Sequence, residues 1–166
     1  MENYKKDNRF DLLKFISSQV SDQLRQADTK AVSIFGVLGI LTGLLVNKIN
    51  SLKFSEWFER PISMILIFIS LFLVILSFKF ALRVLYPRKS VSDKKSLSFF
   101  GDISSLKKEE YISLVSEVEE GESINILSLN VWNLSSVASK KYNALKTAFM
   151  LGIFSLIFTI IVLVVA

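Results

Sequence analysis

The side chains that usually carry enzyme chemistry are scarce in this sequence. It contains no Cys and no His, which removes thiolate and imidazole metal ligands and the imidazole base of Ser or Cys catalytic sites. Carboxylates crowd at Glu117, Glu119, Glu120 and Glu122, but such runs are usually solvated surfaces. No glycine-rich phosphate loop of the GxGxxG or GxxxxGK[ST] type occurs. We therefore expect no catalytic residue, no metal site and no cofactor.

Three apolar runs determine the fold class. Hydrophobic residues make up 51% of the 166 positions and are concentrated in residues 31–47, 62–82 and 147–166, where Lys79 is the single charged residue. A bilayer core about 30 Å thick needs roughly 20 apolar residues in a helix that rises about 1.5 Å per residue. Helices buried in a soluble core normally keep a polar stripe, and these runs show none. The sequence predicts an all-α membrane protein with three transmembrane helices.

The basic residues predict the orientation in the membrane. Residues 1–30 hold six Lys and Arg, residues 48–61 hold three, and residues 83–146 hold ten. Since Lys and Arg concentrate on the cytosolic side, residues 1–30 and 83–146 are expected in the cytosol, and the 48–61 loop and the C-terminus outside. This topology accounts for the net charge of +5, so no nucleic-acid partner is expected.

The cytosolic segments are predicted to form a helical stalk and a small cap domain. A helix capped at Asn8 is expected to run through the amphipathic segment 1–30 into the first span, and a second long helix to run from about Ser123 into the third. Within residues 83–146 we predict a further helix over 107–120, closed by Gly121. The apolar stripes of the stalk need partners, which are each other, the cap, or neighbouring copies in a homo-oligomer.

Small residues line one side of the first span. Gly36, Gly39 and Gly43 fall on one arc of the helix, and the last two form a GxxxG pattern, which lets helix backbones approach closely. Three interpretations stay open: a close helix contact within one chain, a contact between copies, or a polar seam of a pore. Bulky apolar residues dominate the other spans, so a permanently open aqueous pore is not expected.

Several short motifs in order resemble the Pycsar transmembrane effector family. They comprise Asp28 in the segment AlaAspThrLysAla before the glycine-punctuated first span, TyrProArg ending at Arg88, PheGlyAsp ending at Asp102, and SerLysLysTyrAsn around Lys141 and Tyr142. The resemblance covers about residues 20–160. It implies a bacterial antiphage role: a cyclase makes cyclic CMP or cyclic UMP on infection, and the inner (cell) membrane effector responds by impairing that membrane. The cell then dies before the phage matures.

The resemblance implies that the chain responds to such a messenger, so residues that could bind it are candidates for a ligand site. A cyclic phosphate needs Arg or Lys, and a pyrimidine needs an aromatic face. Lys30, Arg88, Lys141 and Tyr142 meet these needs near the cytosolic boundary of the bilayer, where Asp28 can pair with a lysine. The alternative is that they bind lipid phosphates and one another. A recognisable cyclic-nucleotide-binding cassette is missing from the sequence.

A different class of function also fits the composition. The segment 83–146 is large enough to recruit a cytosolic enzyme, so the protein could be a non-toxic membrane anchor or scaffold. A holin-like phage protein is a weaker alternative, because holins seldom carry so large a segment between spans.

Overall fold

The structure is a computed structural model that describes residues 2–51, 61–86 and 103–165. Throughout these residues the regular secondary structure is helical, which confirms the predicted all-α class. Four helices are present in the described ranges: α1 (Glu2–Ser51), α2 (Pro61–Leu85), α3 (Lys108–Ser116) and α4 (Glu120–Val165). Helices α1, α2 and α4 are each long and apolar enough to cross a membrane.

Helices α1 and α4 each run without a break from a polar segment into an apolar run, as predicted. Two predicted helix boundaries, at Asn8 and at Gly121, are wrong. Helix α1 starts at Glu2, so Asn8 lies inside it and is not the cap. The short helix predicted over 107–120 ends at Ser116, and Gly121 does not close it. Gly121 instead lies in the first turn of α4 without a positive φ, where the carboxylate of Glu122 suits the positive end of the helix dipole.

The chain divides into two compact units. The first contains residues 1–25 and 87–140, and the second contains residues 26–86 and 141–166. The first unit includes α3 and leaves many apolar side chains exposed, among them Phe15, Ile112 and Trp132. The second unit holds all of α2 and the apolar halves of α1 and α4, and the buried core lies almost entirely there.

Helix α2 carries a polar stripe, contrary to the expectation that the apolar runs have none. Its buried residues alternate at spacings of four and three, and the first, third and fifth are serines: Ser63, Ile67, Ser70, Val74, Ser77, Ala81 and Val84. This is the seven-residue repeat of helices that pack with a left-handed crossing. Serine allows a close approach and supplies a hydroxyl that must find a partner away from water.

The hydroxyl groups of Ser70 and Ser77 are paired with α4. The Ser70 and Thr159 oxygens lie 2.7 Å apart, and the Ser77 hydroxyl donates to the Ala148 carbonyl oxygen at 2.7 Å. Gly152 faces the same seam, where an added Cβ would lie 3.5 Å from the Ser77 oxygen. Later residues of α2 meet earlier residues of α4, so the two helices are antiparallel.

Helix α1 completes the bundle with an apolar face. Ala27, Ala31, Leu38, Leu41 and Leu45 are buried along it, and the same repeat of four and three relates most of them. The ring of Phe35 meets that of Phe78 on α2 edge-on, with centroids 4.5 Å apart. The buried residues of α1 pack with residues of α2 and α4. The three helices therefore form one bundle, in which α1 and α4 run in the same direction.

Substituting Ser77 by leucine should destabilise this core. The larger side chain would lose the hydrogen bond to Ala148 and press against Gly152, and overpacking of this kind costs about 1–3 kcal/mol. We expect a lower thermal unfolding midpoint in a mild detergent, followed by circular dichroism. Ile75→Leu is the matched control, because Ile75 is 58% exposed on the same helix. Equal midpoints for the two variants would contradict the described packing.

Candidate functional site

The predicted pairing of Asp28 with a lysine is present in the structure. The Lys141 ammonium donates to the Asp28 carboxylate, with Nζ and Oδ1 2.5 Å apart. The Lys141 side chain is only 13% exposed and that of Asp28 40% exposed. An ammonium so poorly hydrated needs a carboxylate partner, so this ion pair ties α1 to α4 at one end of the apolar core.

Lys30 and Tyr142 lie beside this ion pair. The Lys30 ammonium is 5.9 Å from the centroid of the Tyr142 ring, a distance at which a cation is attracted to an aromatic face. Tyr142 also packs against the cluster of Ala27, Ala31 and Val84. Three of the four candidate binding residues, Lys30, Lys141 and Tyr142, are therefore brought together with Asp28. The fourth, Arg88, lies outside the described residues.

The register of α1 and α4 explains why these residues meet. Each α1 residue in the contact faces an α4 residue just over a hundred positions later, with nearly the same offset for Asp28–Lys141 and Lys30–Tyr142. Parallel helices in contact keep such an offset, because both rise about 1.5 Å per residue. The arrangement can bind an anion through two ammonium groups and stack a flat ring against Tyr142, whereas it offers no nucleophile activated by a base.

The glycines of the first span make no close helix contact with the part of the chain that the structure describes. Gly36, Gly39 and Gly43 are exposed, and a Cβ added to any of them would meet no heavy atom of the described chain within 4 Å. The face that α1 buries is that of Leu38 and Leu45, which lies roughly 140° away around the helix at about 100° per residue. Within the described residues the contact inside one chain is therefore not formed, and the contact between copies and the polar seam of a pore stay predictions.

The serine stripe of α2 is the feature that sequence reasoning should have found. Ser63, Ser70 and Ser77 recur every seven residues in an otherwise apolar run, which is the pattern of one helix face. The remaining side chains of this run are large and apolar, so its average hydropathy does not reveal the repeat. In lipid, hydroxyl groups at one face indicate a helix interface.

Comparison with known proteins agrees with this architecture. The family model for the Pycsar effector protein domain matches residues 12–166. The chain belongs to the Pycsar effector family. The Pycsar effector protein SaPycTM of Staphylococcus aureus is 27% identical over 156 residues, which cover 90% of this chain and 95% of the relative. No solved structure matches the chain.

Membership of the Pycsar effector family confirms the resemblance drawn from the short motifs. It makes the chain an effector of antiphage defence, whose cyclase partner belongs to the same system. The three membrane-length helices agree with a membrane location for this Pycsar effector.

Replacing Asp28 by asparagine should destabilise the second unit. Lys141 would keep its charge at 13% exposure without a carboxylate, and leaving a partly buried charge unpaired costs about 1–3 kcal/mol. The measurement is the thermal unfolding midpoint in detergent.

The matched control is Asp22→Asn. Asp22 pairs with Arg25 at 3.3 Å, but their side chains are 54% and 82% exposed, and such surface pairs contribute about 0–1 kcal/mol. A charge swap, Asp28→Lys with Lys141→Asp, should recover part of the loss. Equal unfolding midpoints of the Asp28 and Asp22 variants would show that the Asp28–Lys141 ion pair does not stabilise the second unit.

Proposed function

We propose that this protein impairs the bacterial inner membrane when a cyclic pyrimidine mononucleotide, cyclic CMP or cyclic UMP, binds to it, so that the infected cell dies before the phage matures. The observation that carries the proposal is the family match over residues 12–166. It is supported by three apolar helices that make up the greater part of the chain. Such a protein acts on the membrane itself and needs no catalytic group.

The messenger is proposed to bind at Lys30, Lys141 and Tyr142, with Arg88 as a further candidate. Its cyclic phosphate would be held by the ammonium groups and its base would stack on Tyr142. The phosphate would compete with Asp28 for Lys141, since both are anions. A ligand shifts a conformational equilibrium only as far as it binds the two states differently, and exchange of the carboxylate for the phosphate is such a difference.

The exposed glycine face is proposed to join copies of the chain. Gly36, Gly39 and Gly43 leave a shallow side of α1 that the described residues do not cover, and close helix approach at small residues is a common basis of association in lipid. Oligomers assembled or rearranged in this way would perforate or thin the bilayer. In this proposal residues 1–30 and 83–146 are cytosolic, and the C-terminus is outside.

Purified protein in liposomes should release a trapped dye when cyclic CMP or cyclic UMP is added, and not when cyclic AMP is added. Cells that express it with its cyclase should lose their membrane potential on infection. Retention of dye with every cyclic nucleotide, together with an unchanged membrane potential, would refute the proposal. A stoichiometric co-purifying enzyme without toxicity would favour the anchor or scaffold instead.

The same assay locates the messenger site. Lys30→Gln removes one charged hydrogen-bond donor, so about tenfold more nucleotide should be needed for half-maximal release, corresponding to about 1.4 kcal/mol. Lys140→Gln is the matched control, because Lys140 is exposed and adjacent to Lys141. Equal responses of the two variants would exclude Lys30 from the messenger site.

Gly39→Ile should reduce oligomer formation without unfolding the chain. A Cβ at Gly39 meets nothing within 4 Å in the described residues, so the fold has room for the side chain, whereas a partner helix pressed against Gly39 does not. Chemical crosslinking and mass photometry in detergent measure the effect. Leu44→Ile is the control, because Leu44 is 40% exposed on another side of α1. An unchanged size distribution would exclude this face as the interface.

A further inference from the structure

A long apolar cleft lies between α1 and α4 in the second unit. Its volume is about 570 Å³, which is within the range of small-molecule sites. Its walls are almost entirely aliphatic and aromatic, and include Val37 and Leu38 from α1 and Phe149, Ile153 and Leu156 from α4. Val37, Phe149 and Ile153 are 52%, 57% and 39% exposed, so the cleft opens sideways from the bundle.

Positive charge is concentrated at one end of the cleft. Lys30 and Lys146 line it there, together with Tyr142. Both lysines directly precede apolar runs that are long enough to span a bilayer. Among the described residues neither lysine forms an ion pair, in contrast to Lys141. The cleft therefore combines two ammonium groups at its mouth with an apolar interior.

The length of the cleft matches one leaflet of a bilayer. From Tyr142 to Leu156 the α4 wall measures about 20 Å at roughly 1.5 Å per residue, and half of a hydrocarbon core about 30 Å thick is about 15 Å. The excess of a few ångströms places the lysine end at the depth of the headgroups. The opening would then face the acyl chains of that leaflet.

We propose that this cleft binds one phospholipid with a net negative headgroup. The phosphate would lie between Lys30 and Lys146, and an acyl chain would run between the helices past Val37 and Ile153 towards Leu156. Each lysine close to an anionic lipid surface strengthens binding. The inference does not depend on the messenger proposal, although both use Lys30 and Tyr142.

The chemistry of the walls favours a lipid over a nucleotide as the occupant of the cleft interior. The Ser33 hydroxyl donates to the Thr29 carbonyl oxygen of its own helix at 3.2 Å, and beyond it the walls are apolar. A ribose or a pyrimidine placed there would lose its hydrogen bonds to water without replacement. An acyl chain has no such groups to satisfy.

The charges also disfavour a second copy of the chain. Copies in one membrane share their orientation, so two clefts facing each other would bring both Lys30 and both Lys146 ammonium groups together. Like charges at an interface oppose association. A phospholipid phosphate instead neutralises them.

The test is native mass spectrometry of the full chain after incubation in detergent with phosphatidylglycerol or phosphatidylcholine at equal concentration. We expect one retained lipid per chain and a preference for phosphatidylglycerol of about tenfold, as expected when two lysines each favour the anionic headgroup. Inorganic phosphate at millimolar concentration should not displace the lipid, because it lacks the acyl chain.

Two kinds of variant separate the headgroup site from the acyl-chain site. Ile153→Trp fills the cleft and should lower retention of both lipids at least fivefold, and Val37→Trp fills it from the opposite wall in case the first variant does not fold. The control is Ile161→Trp, since Ile161 is 38% exposed, like Ile153, but does not line the cleft. The pair Lys30→Gln and Lys146→Gln should abolish the preference for phosphatidylglycerol while phosphatidylcholine is still retained.

A charge-matched double variant shows whether the loss of any two lysines has the same effect. Lys79→Gln with Lys140→Gln removes two exposed lysines outside the cleft and should keep the preference. Equal retention of both lipids by the wild-type chain, or equal retention by the Ile153 and Ile161 variants, would overturn the proposal. Crosslinking between copies through a cysteine placed at Val37 would also overturn it. A chain that retains lipid but does not respond to cyclic nucleotides would uphold this site and refute the messenger proposal alone.

Discussion

The need to satisfy polar groups away from water shapes the whole bundle. Surrounding lipid tails are as apolar as leucine, so burying leucine gains little, and helices associate through close packing and hydrogen bonds. The pairing of Ser70 with Thr159 and of Ser77 with the Ala148 carbonyl supplies both. The same small side chains allow Gly152 to approach α2. Helix α1 packs against both of these helices through Leu38, Leu41 and Leu45.

The fold class and the three helices long enough to span a membrane were predictable because they depend on length and apolarity alone. The pairing of Asp28 was also foreseen, since an acid and a base near a bilayer boundary tend to meet. Its partner was left open, because the choice of Lys141 depends on the parallel register of α1 and α4. The glycine pattern of the first span left three interpretations open, and the face that α1 buries is formed by Leu38 and Leu45, since a small-residue pattern does not reveal which neighbour it serves.

The charged end of the core shows how one register produces different environments from similar residues. Lys141 is nearly enclosed and bound to Asp28, Lys30 lies over the ring of Tyr142, and Lys146 lines the mouth of the cleft. These three ammonium groups lie within a few turns of one another on two helices. A small rotation of α1 against α4 would change the surroundings of all three.

The α2–α4 seam leaves no room for solvent, which limits how a single copy of the chain could conduct ions. Ser70, Ser77 and Ser155 have no exposed surface, and Thr159 is 1% exposed, because each oxygen is occupied by a neighbouring group and not by solvent. Within the described helices the seam consequently has no hydrated lumen through which ions could flow. Conductance would require several chains to enclose a passage around a shared axis, or the lipids themselves to part, so one isolated molecule in a bilayer should be electrically silent.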